Sequence, residues 1–192
     1  MLKILGAGLP RTGTRTLYAA LRILGYKAIH HTPTRMPLFP SGAERALVSA
    51  AYADVDAVTD CPAALYWQEL LSDNSELQII LTTRDVHTWW QSIKWHTYKI
   101  RQSADMEHIR YTDAMHGLLF GVAQPCEYWW KRRFIEHHHA VRSTVPSGRL
   151  LVLDIVGGDK WDVLCPFLGV KEPDTEWPWL NKREPQNTRD AI

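Results

Sequence analysis

Residues 3–31 read KILGAGLPRTGTRTLYAALRILGYKAIHH, and this stretch decides the fold of the 192-residue chain. The apolar run KILGA is typical of a short buried strand, and a turn with glycines at positions 8 and 13 follows it. From Thr14 to Leu24 the leucines recur on one helical face, and Gly25 is a natural C-cap. YKAIHH then predicts a second short strand. This order of elements predicts a βαβ unit, in which the two strands run parallel.

The rest of the chain repeats this alternation. Further strands are predicted at DAVTD (56–60), ELQIILTT (76–83) and RLLVLDI (149–155). Helices are predicted over about 43–52, from Pro62 to about Leu71, after the capping residue Asp85, over 107–144 with a break near Pro125, and at WDVLCPFLG (161–169). We therefore expect a single domain over residues 1–192, with a three-layer α/β fold and a central parallel sheet flanked by helices.

Composition excludes several classes of protein. Hydrophobic residues make up 45% of the chain and charged residues 22%, and the net charge of +1 argues against a general nucleic-acid binder. The cysteines at 61, 126 and 165 form no disulfide framework and no paired zinc motif. No stretch approaches the roughly 20 apolar residues that span a bilayer, and the N-terminus lacks a signal-peptide pattern. We expect a cytoplasmic protein without a membrane span.

The turn GLPRTGTRT (8–16) has the layout of a phosphate-binding loop. A glycine-rich turn between a buried strand and a helix exposes backbone N–H groups at the positive end of the helix dipole. The spacing Gly8–x4–Gly13 matches the first part of a nucleotide-triphosphate P-loop, but Thr14 and Arg15 stand where Lys and Ser or Thr would follow. Arg11 instead lies inside the loop. The alternative is a plain turn with soluble Thr and Arg side chains.

The stretch GLPRTGTRTLYAALRILGY (8–26) resembles the phosphate loop of sulfotransferases that use 3′-phosphoadenosine 5′-phosphosulfate (PAPS). Those loops carry a lysine before the glycine, and Arg11 in its place resembles the "GLPRTGT" branch of that superfamily. The resemblance implies a P-loop-type fold and PAPS, or its product adenosine 3′,5′-bisphosphate, as the nucleotide. It assigns cofactor binding in this loop to Arg11, Thr12, Gly13, Thr14, Arg15 and Thr16.

Two further stretches extend the resemblance. Sulfotransferases hold the 3′-phosphate with an Arg at a strand end and a Ser eight residues later, and IILTTRDVHTWWQSI has Arg84 and Ser92 at that spacing. The late segment KWDVLCPFLGVKEPDTEWPWLN (160–181) is similar to the family's closing, core-packing segment. The family's glycine- and lysine-rich adenosine loop is missing, and Lys182, Arg183 and Arg189 are the candidates to replace part of it.

The resemblance also implies a catalytic position. Where the family has Thr-His-x-Pro with a catalytic His, this chain has Thr59-Asp60-Cys61-Pro62. A carboxylate at a strand end can take the proton of an acceptor hydroxyl, so Asp60 is the candidate base and Arg11 the cation for the leaving phosphate. Asp60 as a simple helix cap is an equal alternative, and His30 or His31 could be the base instead.

The remaining histidines are weaker candidates for the site. His87 and His96 lie on the helix after Arg84, where one could approach the cofactor. The run His137–His139 suggests a metal, but consecutive helix residues point to different faces, so we predict a solvated helix face and no metal site.

The implied reaction transfers a sulfuryl group from PAPS to a hydroxyl or amine of a small molecule. Two alternatives stay open: a nucleotide kinase or NTPase with a degenerate phosphate loop, with Asp154 as its candidate magnesium ligand, and a non-catalytic nucleotide-binding protein of the same fold.

Overall fold

The structure, a computed structural model, describes residues 1–31, 35, 38 and 48–180. Its centre is a parallel sheet with the strand order β2-β3-β1-β4-β5. The strands are β1 Ile4–Gly6, β2 Ala28–His30, β3 Ala57–Thr59, β4 Gln78–Thr82 and β5 Leu150–Leu153. Each falls inside a stretch that the sequence predicts as a strand. The first two are parallel as expected, and β3 lies between them in the sheet.

Helices connect these strands. In the described ranges they are α1 Thr14–Ile23, α2 Val48–Ala51, α3 Trp67–Asp73, α4 Val86–Ser103, α5 Met106–Phe120, α6 Glu127–Thr144 and α7 Trp161–Leu168. Short 3₁₀ turns cover Ala63–Tyr66 and Ser147–Arg149. The helix predicted over about 43–52 lies partly outside the described residues. Pro62 precedes a 3₁₀ turn rather than an α-helix, and α3 starts only at Trp67.

Alternate side chains of the strands pack into two hydrophobic cores, one on each face of the sheet. Ile4 and Ile80 pack against Leu17 of α1 and Leu164 of α7. The opposite face carries Leu5, Val58 and Leu81, which pack with residues of α2, α3 and α6. Two buried layers around a central sheet confirm the three-layer α/β prediction.

Helices α4, α5 and α6 also pack on one another beside the sheet. Trp89, Phe120 and Trp130, one from each helix, share a buried aromatic cluster in which the rings of Phe120 and Trp130 stack at 4.4 Å. The side chain of Asp85 caps α4 by accepting the N–H of Thr88 at 2.9 Å. This packing fixes α4 and α5 close to the turns that follow β1 and β3.

None of the helices in the described ranges is both long and apolar enough to cross a membrane.

Candidate functional site

The turn after β1 has a backbone conformation that most residues avoid. Arg11 has a φ of 73° and Gly13 a φ of 103°, both in the left-handed region. A Cβ on Gly8 would lie 1.9 Å from Oγ1 of Thr82, so this close approach to β4 requires glycine. The turn is therefore fitted tightly against the end of β4.

Buried hydrogen bonds hold this turn in place. The hydroxyl of Thr12 donates to the carbonyl of Leu9 at 2.7 Å and lies 2.6 Å from the hydroxyl of Thr82. The backbone N–H of Thr12 also donates to Leu9, at 3.3 Å. From α4, Nε1 of Trp89 donates to the carbonyl of Pro10 at 2.9 Å. The hydroxyl and the backbone N–H of Thr12 are thus both hydrogen-bonded within the protein, and its buried side chain stabilises the turn.

Helix α1 begins at Thr14, directly after the turn. Its N-cap, Gly13, has no side chain to cap the helix, and the first turn carries no acidic residue. Uncapped N–H groups at a helix start carry partial positive charge, which suits an anion. The hydroxyl of Thr16 accepts a hydrogen bond from the N–H of Leu180 at 3.2 Å. The segment that follows α7 is therefore held against the first turn of α1.

Arg84 and Ser92 approach the same place from β4 and α4. Nε of Arg84 donates to the hydroxyl of Thr88 at 3.1 Å. Two helical turns after Arg84, the hydroxyl of Ser92 accepts a hydrogen bond from Nε of Arg11 at 3.2 Å. The two regions that the sequence assigns to separate phosphates are thus in direct contact.

These residues line a single cavity of about 880 Å³. Its size lies within the range of roughly 300–1,000 Å³ that is usual for small-molecule sites. Of the predicted site residues, all except Thr12 line it: Arg11, Gly13, Thr14, Arg15, Thr16, Asp60, Arg84 and Ser92. The structure therefore brings the predicted loop, strand-end and helix residues together.

Asp60 lies at the end of β3, opposite the phosphate loop. Its Oδ2 accepts a hydrogen bond from the hydroxyl of Thr14 at 2.9 Å and lies 3.5 Å from Nε2 of His30. Its Oδ1 accepts the N–H of Cys61 at 2.8 Å. The backbone of Asp60 has a φ of 74°, which turns the chain so that the carboxylate faces the cavity. Its contacts reach β2 and α1, so it does more than cap a local turn.

His30, the last residue of β2, and His31, which follows it, also line the cavity. Nδ1 of His30 lies 2.9 Å from the hydroxyl of Thr59, and Nδ1 of His31 donates to the carbonyl of Cys61 at 3.0 Å. Burial lowers the pKa of His30, and the neighbouring carboxylate of Asp60 opposes this effect only in part. A neutral imidazole can accept a proton, so His30 keeps the chemistry of a base beside Asp60.

The sequence assigned little to the far wall of the cavity. His96 of α4 and His116 of α5 line it, together with Met115. Burial, and then the positive charge of Arg11, lower the pKa of His96 to about 4. Of the two histidines that the sequence placed on the helix after Arg84, His96 lines the cavity and His87 does not. His96 follows Ser92 by four residues and so shares its helix face. Nothing local in the sequence places α5 at the site.

The prediction of a solvated histidine face on α6 is wrong. The run 137–139 is not a solvated face: Nε2 of His137 donates to the carbonyl of Ala7, and Nδ1 of His138 to that of Phe134, both at 2.8 Å. Of the three, His139 alone is exposed. The reason is that α6 packs this run against the sheet. Across the described ranges, no group of three or more His, Cys, Asp or Glu side chains could hold a metal ion.

Asp154, the candidate magnesium ligand of a kinase, does not line the cavity. Its side chain accepts the N–H of Gly157 at 2.8 Å and shapes the turn after β5. Lys182, Arg183 and Arg189, proposed to replace the adenosine loop, lie outside the described residues, as does most of the stretch 32–47.

Comparison with known proteins agrees with this geometry. Residues 3–185 match the family described as a sulfotransferase domain. The chain is also 29% identical, over 211 aligned positions, to the Ava biosynthesis cluster protein M of Aspergillus versicolor, with 93% of this chain and 80% of that protein covered. The phosphate loop, the Arg84–Ser92 pair and a match that spans nearly the whole chain lead to one conclusion: this chain belongs to the sulfotransferase family.

Proposed function

We propose that the protein transfers a sulfuryl group from PAPS to a hydroxyl or amine of a small-molecule acceptor. The observation that carries this proposal is the hydrogen bond of 3.2 Å between Arg11 and Ser92. It places the phosphate loop beside the Arg84–Ser92 pair, so one nucleotide with two separated anionic groups can reach both. A nucleotide with all its phosphates in one chain gains nothing from the second site.

The residues present fit such a nucleotide. Gly8 and Gly13 let the turn keep its tight path, because a Cβ on Gly8 would meet Thr82 and a Cβ on Gly13 would meet Ile155. The start of α1 is free of acidic residues, which suits an anion. Arg11 and Arg15 add guanidinium groups on the 5′ side of the nucleotide. In the proposal these groups hold the 5′-phosphosulfate end.

The 3′-phosphate is assigned to Arg84 and Ser92. A guanidinium offers a planar fork of N–H donors that matches phosphate oxygens, and the Ser hydroxyl adds one more donor. In the structure Arg84 donates to Thr88 and Ser92 accepts from Arg11, so both side chains are held at the cavity wall. This pre-organisation lowers the entropic cost of gripping a phosphate.

PAPS supplies a sulfuryl group that is bonded to its 5′-phosphate through a bridging oxygen. In the transfer, the bond from sulfur to the bridging oxygen breaks, and a bond forms between sulfur and the acceptor oxygen or nitrogen. Arg11 stabilises the negative charge left on the phosphate. Asp60 takes the acceptor's proton, and His30, 3.5 Å from it, is the alternative base.

The relative from Aspergillus versicolor supports a small-molecule acceptor, because its name assigns it to a biosynthesis cluster. We extend that setting to this chain as part of the proposal.

Calorimetry with two ligands tests the proposal. We expect adenosine 3′,5′-bisphosphate to bind without metal, and more tightly than ATP with magnesium. A preference for ATP with magnesium would favour a kinase or NTPase, and binding of neither would favour a non-catalytic protein. Bisphosphate binding without any transfer of label from [³⁵S]PAPS to acceptor mixtures would indicate a nucleotide-binding protein that has lost catalysis.

A further inference from the structure

Helix α4 carries two polar side chains, Ser92 and His96, on a face that lines the cavity. They are four residues apart, so their side chains lie one helical turn from each other on the same face. The hydroxyl of Ser92 accepts a hydrogen bond from Nε of Arg11 at 3.2 Å, which holds this face of α4 against the turn after β1. His96 therefore lies one helical turn beyond the contact between α4 and Arg11.

The charges that act on His96 show which groups are near it. Burial has the largest effect on the pKa of His96, followed by the charge of Arg11, and both lower it, whereas the carboxylate of Asp60 raises it. His31, after β2, and His108, in the first turn of α5, act on it as well, and all of these residues line the same cavity. The imidazole is therefore within electrostatic reach of both Arg11 and Asp60.

The ring nitrogens of His96 have no hydrogen-bond partner among the residues that the structure describes. His30 and His31 differ in this respect, because their Nδ1 atoms lie within hydrogen-bond distance of the Thr59 hydroxyl and the Cys61 carbonyl. An imidazole carries at least one N–H in either of its protonation states. The half-buried ring of His96 therefore offers a donor to a ligand in the cavity.

In the proposed reaction, the sulfuryl group moves from the phosphate at Arg11 to an acceptor atom beside Asp60. Its outer oxygens carry negative charge throughout the transfer, and they lie between these two groups. A donor that is near both Arg11 and Asp60 is placed to reach those oxygens. The start of α1 and the Arg84–Ser92 pair do not serve them, because the proposed function assigns those groups to the two phosphates.

We propose, on the basis of the proposed function, that His96 is a further catalytic residue, whose N–H donates a hydrogen bond to the sulfuryl group of the bound donor and keeps this contact during transfer. Arg11 stabilises the phosphate that is left behind, and Asp60 takes the proton of the acceptor. The three residues thus act on three different parts of the reaction. A neutral imidazole supplies its contact without burying a second cation beside Arg11.

Two nucleotides that differ in the sulfuryl group test this assignment: PAPS and adenosine 3′,5′-bisphosphate. At about pH 7.5 each carries roughly two negative charges at its 5′ end, because the second pKa of a phosphate is near 6, so total charge is matched. Calorimetry without an acceptor measures both affinities in the same protein. His96→Leu should weaken PAPS about tenfold, the loss of a hydrogen bond to a charged group, and the bisphosphate less than about twofold.

Two further variants complete the test. His96→Gln keeps an N–H donor and should recover most of the PAPS affinity. His108→Leu makes the same change at an exposed histidine that lines the cavity from α5, and it should leave the ratio of the two affinities unchanged. An unchanged ratio in His96→Leu, or an equal selective loss in His108→Leu, would overturn the role of His96. A wild type that binds neither nucleotide, or the bisphosphate alone, would instead overturn the proposed function and this inference with it.

Discussion

Arg11, His31 and Asp60 have left-handed φ values of 73°, 47° and 74°. In the described part of the chain they are the non-glycine residues with this conformation, and all three line the cavity. The left-handed region costs an ordinary residue roughly 1–2 kcal/mol. The fold therefore carries backbone strain of this kind at three residues that line the cavity, and at no other non-glycine position in the described ranges.

Arg84→Ala should distinguish the contribution of the 3′-phosphate to binding from that of the 5′-phosphate. Loss of a charged hydrogen bond of roughly 1.5–3 kcal/mol should weaken adenosine 3′,5′-bisphosphate about 10- to 100-fold. Adenosine 5′-phosphate lacks the 3′ group, so its affinity should change little. Calorimetry with both ligands measures this difference, and Arg142→Ala, at an exposed position of α6, is the control. Equal losses for the two ligands would contradict the role assigned to Arg84.

Asp60→Asn should remove the base while keeping the local backbone, because Asn tolerates the left-handed conformation well. We expect the rate of transfer from PAPS to fall by about 100-fold or more, with bisphosphate affinity nearly unchanged. His30→Gln is the matched variant, since His30 lies 3.5 Å from Asp60. A larger loss in His30→Gln than in Asp60→Asn would move the base assignment to His30.

Among individual residues of the candidate site, the sequence predicted those that belong to a local motif. Arg84 and Ser92 are eight positions apart on one strand end and one helix, so their spacing is enough to place them together. His116 carries no such signal, because it reaches the cavity only through the packing of α5 against α4 and α6. The buried state of His138 was missed for the same reason: the contact of α6 with the sheet is long-range.

Among the elements, the turn between β1 and α1 depends most on its neighbours. It is fixed by β4 through Thr12 and Thr82 and by α4 through Trp89. The close contact with β4 leaves no room for a Cβ at Gly8, because such an atom would lie 1.9 Å from the side chain of Thr82 and 2.7 Å from its carbonyl oxygen.

Gly8→Ala should therefore separate the turn from β4 and destabilise the protein. We expect the free energy of unfolding to fall by about 1–3 kcal/mol, as for other overpacked sites, with weaker bisphosphate binding. The control is Gly117→Ala in α5, where an added Cβ meets nothing within 4 Å and helix propensity predicts a gain of about 0.5–1 kcal/mol. Urea denaturation measures both. A Gly8→Ala variant as stable as the wild type would mean that the turn is not tightly fitted.

Strands and helices were largely predictable, because each has a local signal. The apolar runs mark the strands, and the helix break at 121–126 coincides with the predicted break near Pro125. What could not be predicted is the placement of α5 beside the cavity, opposite α4. Their apolar faces pack on each other and on α6, and no periodicity in one helix identifies its partner.

In the whole molecule, the order of the strands determines where the cavity residues come together. β1 lies between β3 and β4, so the chain leaves three adjacent strands at one edge of the sheet. The turn that contains Arg11 follows β1, Asp60 follows β3 and Arg84 follows β4. In parallel α/β sheets, ligands bind at the carboxyl ends of the strands. The sequence predicted a parallel sheet but not this order, which depends on contacts between distant segments.

Stability of the whole molecule should depend on pH through its buried histidines. Burial lowers the pKa of His116 and His138 to about 4, below the value near 6.5 of an unfolded chain. The unfolded state therefore binds more protons between these values, and the free energy of unfolding falls as the pH falls from about 6.5 towards 4. Each such histidine should cost roughly 1 kcal/mol at about pH 5.5.

His138→Gln tests this dependence. Urea denaturation at about pH 7.5 and pH 5.5 should show a smaller acid loss in this variant, by roughly 1 kcal/mol, than in the wild type. His139→Gln, one residue further along α6 and exposed, should keep the full wild-type loss. The same loss in His138→Gln as in the wild type would show that protonation of His138 is not linked to unfolding.

The cavity of about 880 Å³ is continuous from the phosphate loop to the space between α4 and α5. If the proposed function holds, donor and acceptor are bound at the same time, and the sulfuryl group passes between them in one ternary complex. Cys61, the cysteine next to the site, is fully buried, and burial raises the pKa of its thiol, so it is a poor covalent carrier. In the proposed reaction, steady-state kinetics would accordingly be sequential rather than ping-pong.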